Sequence, residues 1–326
     1  MIRDRGKANH TPFPRRRFAL TSVSLCLALL LSAITTLSHA QQKRDQDDAV
    51  RLHADLVVVN VTVTDANGQY AHGLSAKDFA ILEDGAAQKI ESFDSEEAPF
   101  AAAILIDMSG SMEYKFSLAR AAAASFLDHI REDDQVAVYG FNNQVKQFQD
   151  FSNVRDITEY IWDAEARDQT RLYDCMDEAI DALSKRPERR RALLVISDGW
   201  DSMSRKATYD SALRKAMASG VLIYTIDLMD DAQVNGGGSA SIGLRRGRRD
   251  MQEFASQSGA RYIHSPQGDK LEEAFTGIVE ELRNQYTLTY YSTNDKRDGR
   301  WRKLNVSVSR PGLTTRARRG YYAPKG

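Results

Sequence analysis

Cysteine is almost missing from this sequence: the 326 residues hold two, Cys26 and Cys175. If Cys26 belongs to a leader, Cys175 stands alone, and a disulfide framework within the chain is excluded. Cys175 falls in an apolar helical pattern with Leu172, Met176 and Ala179, so it reads as a small buried hydrophobe with no catalytic role. Histidine is scarce too. His53, His72, His129 and His264 lie on separate segments, which leaves no His or Cys set for zinc or copper. Seven Pro and 20 Gly are too few for a low-complexity or collagenous chain, and no repeat of about 20 to 50 residues suggests a solenoid or propeller. A charge excess of one sign is also lacking, with 44 Lys+Arg against 45 Asp+Glu. That argues against a general nucleic-acid binder. No Gly-x-Ser-x-Gly elbow is present, which removes the usual signature of a serine hydrolase. What remains, 42% hydrophobic and 27% charged, is globular composition with enough chain for one large or two moderate cores.

The first 40 residues read as an export leader. Arg3, Arg5, Lys7, Arg15, Arg16 and Arg17 precede an apolar stretch from Phe18 to Leu37, followed by Ser38-His39-Ala40. Basic, apolar and small-residue segments stand in secretory order, and the adjacent arginines also allow a twin-arginine route. Retention as a membrane anchor is the alternative, since the apolar stretch just reaches bilayer length, although Ser and Thr dilute it. With the leader removed near Ala40, 38 basic and 44 acidic residues remain, an acidic mature protein. The expected location is periplasmic, envelope-associated or secreted.

Beyond a polar linker at 41–51, residues 52–98 have β character. Leu56 to Thr64 is rich in β-branched residues, Asp65-Ala-Asn-Gly68 makes a turn, and Tyr70 to His72, Phe79 to Glu83 and Lys89 to Phe93 are short strand candidates around a Glu83-Asp84-Gly85 hairpin turn. From 99 to 284 apolar runs alternate with helical patterns, as in a doubly wound, mostly parallel sheet. The strands expected are Ala101 to Ile106, Gln135 to Phe141, Arg191 to Ile196, Val221 to Ile226 and Arg261 to His264, with Val145 to Phe151 as an antiparallel edge. The helices expected are Phe116 to Ile130, Arg171 to Ser184, Lys206 to Ala218, Asp250 to Ser258 and Lys270 to Arg283. The Gly- and Arg-rich stretch 229–249 reads as an inserted, solvated loop, although it could also dock acidic surfaces. Residues 285–326 return to β pattern with three strands: Gln285 to Ser292, Trp301 to Ser309 and Thr314 to Tyr322. Three strands cannot bury a core alone. Pairing them with the strands of 52–98 gives an α/β fold whose doubly wound domain is inserted in a small β-sandwich.

The chemistry concentrates at strand ends. Asp107-Met-Ser109-Gly-Ser111 follows one strand, Ser197-Asp198-Gly199 follows another, and Thr170 opens a helix. Ligands of open α/β sheets bind at the carboxyl ends of their strands. Asp107, Ser109, Ser111, Thr170 and Asp198 are hard oxygen donors, suited to Mg²⁺, Mn²⁺ or Ca²⁺. Each motif alone also reads as a helix cap or turn. Their order, Asp-x-Ser-x-Ser, then Thr, then Ser-Asp-Gly, resembles the metal-ion-dependent adhesion site of the von Willebrand factor A domain, a likeness spanning about 100–284. The flanking Asp55-Leu-Val-Val-Val-Asn-Val-Thr-Val, Leu82-Glu-Asp-Gly85 and Arg319-Gly-Tyr-Tyr-Ala-Pro resemble a subgroup of exported bacterial proteins that carry such a domain.

The resemblance implies that Ser109, Ser111 and Thr170 offer hydroxyls to a divalent cation while Asp107 and Asp198 balance its charge, directly or through water. A partly neutral ligand set leaves the cation able to take an Asp or Glu from a protein partner. Glu113, Tyr114 and Trp200 would rim that surface, Trp200 as an anchor or as an indole folded onto its own loop. Asp168 departs from the small residues usual before the threonine. Asp174 is expected to be a solvated helix carboxylate rather than a support for the metal loop. The function implied is an exported, non-enzymatic adhesion or assembly module. Two alternatives stay open: an envelope scaffold that bridges no partner, and a phosphohydrolase, which would want a second aspartate where Ser109 stands.

Overall fold

In the computed structural model, residues 56–95, 97–155, 166–264 and 269–326 are described; the expected leader and linker lie outside them. Residues 55–326 form a single unit.

The chain opens with β1 (Leu56–Thr64), followed by β2 (Phe79–Glu83), β3 (Ala86–Gln88) and β4 (Ile90–Asp94). Asp84 and Gly85, at φ 49° and 88°, turn β2 into β3 in the doubly left-handed conformation that matches the twist of a tight hairpin. The α/β part then runs β5 (Phe100–Asp107), α1 (Phe116–Asp128), β6 (Gln135–Phe141), β7 (Val145–Ser152), α2 (Leu172–Ser184), β8 (Arg190–Ser197), α3 (Tyr209–Ser219) and β9 (Leu222–Asp227). It continues with α4 (Asp231–Asn235), α5 (Ser239–Ser258), β10 (Tyr262–His264) and α6 (Asp269–Arg283). The chain closes with β11 (Tyr286–Tyr291), β12 (Trp301–Val308), β13 (Thr314–Ala317) and β14 (Gly320–Tyr322).

The central sheet has the order β10-β9-β8-β5-β6-β7, parallel except for the antiparallel edge β7. All eight residues of β5 are buried, as a strand covered on both faces requires. Phe100, Ala102, Ile104 and Ile106 pack with Phe126 of α1 and Phe275 of α6 on one face. Ala101, Ala103 and Leu105 pack with Met176 and Ile180 of α2 on the other. The helix ends are marked by ordinary chemistry: the Thr208 hydroxyl caps α3 by accepting from the Ser211 amide, and Gly220 at φ 68° closes it.

Both flanking sheets mix the two ends of the chain. One has the order β13-β1-β11-β4 and the other β14-β12-β2-β3, with β1 antiparallel to β11 and β2 antiparallel to β12. Between them Val59, Val61, Val63, Phe79, Ile81, Tyr286, Leu288 and Tyr290 form one core. The alternating burial of β2 and β12 is that of strands with one solvated face. Glu83 is buried in this core but satisfied, accepting from Tyr290 Oη at 2.7 Å, Tyr321 Oη at 2.9 Å and Ser292 Oγ at 2.7 Å.

Three expectations need correction. Tyr70 to His72 is not a strand; Tyr70 makes one isolated bridge to Thr64. Thr314 to Tyr322 is not continuous: it changes sheet between β13 and β14. There the Arg318 guanidinium donates to Met217 O and Val58 O, and the Arg319 amide donates to Gln257 O, pinning the crossing to the ends of α3 and α5. The stretch 229–249 is not a loop, because α4 and the first half of α5 occupy it. Two of its glycines, Gly243 and Gly247, face Trp200 and Gly199 instead of solvent.

Candidate metal centre

Asp107 and Asp198 end up together because β5 and β8 are adjacent and parallel, paired from Phe100↔Arg190 to Ile106↔Ile196. Both carboxylates leave the same edge of the sheet, and both are buried. Asp107 accepts from the Ser109 amide at 2.8 Å and the Ser197 hydroxyl at 2.5 Å. The Ser109 and Ser111 hydroxyls lie 3.0 Å apart. Thr170 is buried and reaches this edge because its loop is stitched across the one after β5: the Gly110 amide donates to Asp168 O, and the Arg167 amide to Met108 O. Asp168 is exposed with φ 73° and contributes its carbonyl there.

The electrostatics are those of two acids forced together. Burial, and then the charge of Asp198, push Asp107 up to about 7. Burial likewise raises Asp198, with a further push from Asp227, opposed by the neighbouring Ser111 hydroxyl, the Trp200 amide and the Lys115 cation. Asp198 Oδ1 accepts from the Trp200 amide at 2.8 Å, whereas its Oδ2 is buried with no hydrogen-bond partner among the described residues. An orphaned carboxylate oxygen is costly unless something positive completes it. Among the described residues no group of three or more His, Cys, Asp or Glu is placed to hold a metal. Any cation here would rely on the hydroxyls of Ser109, Ser111 and Thr170 beside the two carboxylates. That all-oxygen, partly neutral set fits a hard divalent ion.

The expected rim divides. Glu113 and Tyr114 are exposed on the loop after β5, Tyr114 at 95%. Trp200 is 36% exposed and rests on α5 instead of its own loop: a Cβ at Gly243 would fall 2.6 Å from its ring. Gly247 lies equally close to the metal loop, where a Cβ would meet Gly199 O at 2.5 Å and Trp200 N at 2.7 Å.

Asp174 overturns its expectation. It is buried and accepts the amides of Arg205 at 3.1 Å, Lys206 at 2.9 Å and Ala207 at 2.8 Å. Burial disfavours its charge, but the amides of Ala207, Arg205 and Lys206 outweigh that and hold its carboxyl below the usual range. In return Ser202 Oγ, Asp201 Oδ1 and Ser204 Oγ accept the amides of Thr170, Tyr173 and Asp174. The segment after Asp198 thus caps the helix that Thr170 precedes, fixing two parts of the site to each other.

Sequence reasoning missed three residues here. Ser197 is visible in Ser-Asp-Gly, but nothing in that motif shows that its hydroxyl reaches Asp107, ninety residues earlier. Asp227, buried at the end of β9, accepts from Arg248 Nε at 2.6 Å, Tyr262 Oη at 2.7 Å and the Met229 amide at 2.8 Å; a third acid at a third strand end was the signal. Lys115 donates to Leu228 O and to Gln233 Oε1 at 3.3 Å, tying α4 to the loop after β5, and no sequence pattern announced it.

The class of protein this defines is a doubly wound α/β domain with two buried acids and a cluster of hydroxyls at its strand ends. Residues 102–200 match the von Willebrand factor type A domain family, and the chain carries a domain of that family. Such domains are in general interaction modules and not enzymes. No curated protein matches the sequence. Among solved structures, the von Willebrand factor type A protein from Catenulispora acidiphila is similar at 12% identity and a TM-score of 0.46, over 82% of this chain and 74% of that one. An aerotolerance-related membrane protein from Bacteroides fragilis is 16% identical at a TM-score of 0.40, over 57% and 98%. Proximal thread matrix protein 1 from the mussel byssus, with a zinc-occupied metal-ion-dependent adhesion site, is 16% identical at a TM-score of 0.45, over 61% and 49%. No helix among the described residues is long and apolar enough to cross a membrane.

Proposed function

We propose that this protein is an exported, non-enzymatic adhesion or assembly module that holds a divalent metal, Mg²⁺ in the first instance, with Mn²⁺ or Ca²⁺ as substitutes, on Asp107, Ser109, Ser111, Thr170 and Asp198. Through that metal it captures an Asp or Glu of a protein partner. The observation that carries the reading is the buried, unpartnered Asp198 Oδ2 beside a cluster of hydroxyls and a second buried carboxylate. A bound divalent cation would supply Lewis acidity toward an incoming carboxylate. The chain's own part is positioning. Ser197 and the Ser109 amide hold Asp107, the Trp200 amide holds Asp198, and the capping around Asp174 fixes Thr170. The basic, apolar and small-residue order of 1–40 supports export.

Titration calorimetry with Mg²⁺ and Mn²⁺ tests this, on wild type beside Asp107→Ala, followed by acetate. Weak metal binding that is lost in the variant and strengthened by acetate is the expected result. A folded wild type that takes up neither metal overturns the reading.

A further inference from the structure

The Arg-rich first half of α5 builds a wall beside the metal loop, and its residues divide by face. Gly243 and Gly247 admit Trp200 and Gly199, while Arg245 and Arg248 turn to the β9–α4 side, donating to Val234 O and to Asp227 and Asp231. Ile242, Arg246 and Arg249 recur at helical spacing along a third face, at 62%, 71% and 73% exposed. Two cavities open along that face. One of about 300 Å³ is bordered by Trp200, Ile242 and Arg246, and another of about 400 Å³ by Arg246, Arg249 and Tyr209. Arg246 and Asp250 border both, so the two form one groove that starts at the metal loop.

Its electrostatics are lopsided. Asp250 is buried and accepts the Tyr173 hydroxyl at 2.8 Å, and Asp201 accepts the Ser204 hydroxyl at 2.6 Å. Glu253, half-buried at the far end of the groove, accepts from Gln257 Nε2 at 2.5 Å, so each of these acids already has a donor within the protein. Arg246 and Arg249 approach Asp250 at 3.8 and 3.9 Å, beyond hydrogen-bond length, so their guanidinium donors remain available at the surface. Guanidinium groups placed this way fit carboxylates.

We infer that this groove is the specificity subsite for an extended acidic segment of a protein partner. The segment would lay an apolar residue on Trp200 and Ile242 and a second carboxylate on Arg246 and Arg249. The inference rests on the metal-bridge reading for where the first carboxylate sits. From Gly243 to Arg249 the helix advances roughly 9 Å, which extended chain covers in about three residues. The second acid of the partner accordingly lies up to about three residues beyond the apolar residue seated on Trp200.

The experiment is fluorescence anisotropy on the purified full-length protein. The probe is a labelled peptide of about ten residues with one Glu directly before a Leu and a second Glu three residues after that Leu, beside its Gln counterpart, each in Mg²⁺ and in EDTA. Preference for the Glu peptide is expected, with Kd weakened about five- to tenfold in R246Q/R249Q under both conditions. R131Q/R300Q, which removes equal charge elsewhere, is expected to bind as wild type. The inference is overturned if R246Q/R249Q binds as wild type does, if R131Q/R300Q loses as much, or if the Glu peptide is not preferred. The metal reading is tested separately: loss of Mg²⁺ dependence in D107A supports it. Binding indifferent to Mg²⁺ in wild type sinks it while the arginine comparison still stands.

Discussion

Asp107 and Asp174 respond to pH with opposite signs, for reasons that lie in what each touches. Asp107 is raised to about 7 by burial and by the charge of Asp198, so the folded protein binds its proton more tightly than the unfolded chain does. The stability this contributes is fully present below the ordinary carboxylate pKa and is lost as pH rises through about 7. In EDTA, the stability of wild type should therefore fall relative to Asp107→Asn between roughly pH 4 and 7, by an amount on the order of a few kcal/mol. Calorimetry across that range checks it, and a parallel course for the two proteins would contradict the burial argument. Saturating Mg²⁺ should flatten the wild-type trend, since a bound cation favours the charged carboxylate. Asp174 is held below the usual range by three backbone amides working against its burial, so its contribution is present above the ordinary pKa and disappears as pH falls past it. Asp174→Ala strands those amides and should cost about 2–3 kcal/mol in urea denaturation at neutral pH. Neither assignment was legible from one sequence. Asp107 announced itself at a strand end, but the donors that claim Asp174 come from residues 205–207, about thirty positions away, and no local pattern carries that pairing.

Elements with a strong period were readable, and those built by tertiary contact were not. The strands of the central sheet and α1, α2, α3 and α6 follow from apolar runs and helical spacing, because burial of one face or two imposes that spacing on the residues themselves. The first half of α5 went unread: Gly243 and Gly247 weaken a helix intrinsically, and four arginines hide its apolar stripe. Packing outweighs that weak propensity, since the two glycines stand one helical turn apart and let α5 approach Trp200 and Gly199 where any side chain would collide. The same fact predicts a coupling between helix and site. Gly247→Ala should push the 198–200 loop outward at a cost of about 1–3 kcal/mol and weaken Mn²⁺ binding, although residue 247 is no metal ligand. Mn²⁺ titration of the variant, with its melting temperature as the control for folding, reads both effects. Unchanged Mn²⁺ affinity in a destabilised variant would confine the glycine to packing.

At the scale of the whole molecule, the question is whether the sandwich and the α/β domain unfold together. The inserted domain leaves the sandwich through β4 and returns through β11, and Arg190 sits where the two passages meet. It is fully buried, and its guanidinium donates to Ser95 O at 2.8 Å, Ala98 O at 3.3 Å, Leu282 O at 3.1 Å, Arg283 O at 2.8 Å, Gln285 O at 2.5 Å and Thr287 Oγ1 at 3.3 Å. It thereby neutralises the negative end of α6 while gripping, from its own place at the head of β8, the connection that leaves β4 and the start of β11. A second clasp lies nearby: buried Glu281 of α6 pairs with Arg316 of β13 at 2.7 Å and with Arg261 at 2.9 Å, and accepts the Tyr224 hydroxyl at 2.6 Å. Glu281 is fully buried, whereas its partners Arg261 and Arg316 are 38% and 33% exposed, so removing the carboxylate forfeits charge-assisted hydrogen bonds while leaving the arginines partly solvated, a loss of about 2–3 kcal/mol. Wild type should melt in one calorimetric transition, since sheets built from both chain ends and these clasps make the parts interdependent. Glu281→Ala, which removes the carboxylate joining Arg316, Arg261 and Tyr224 across the two parts, should lower stability by that amount and separate the transition into two. A single transition merely shifted to lower temperature would show that strand pairing alone suffices to couple them, and would demote Glu281 from clasp to ordinary buried ion pair.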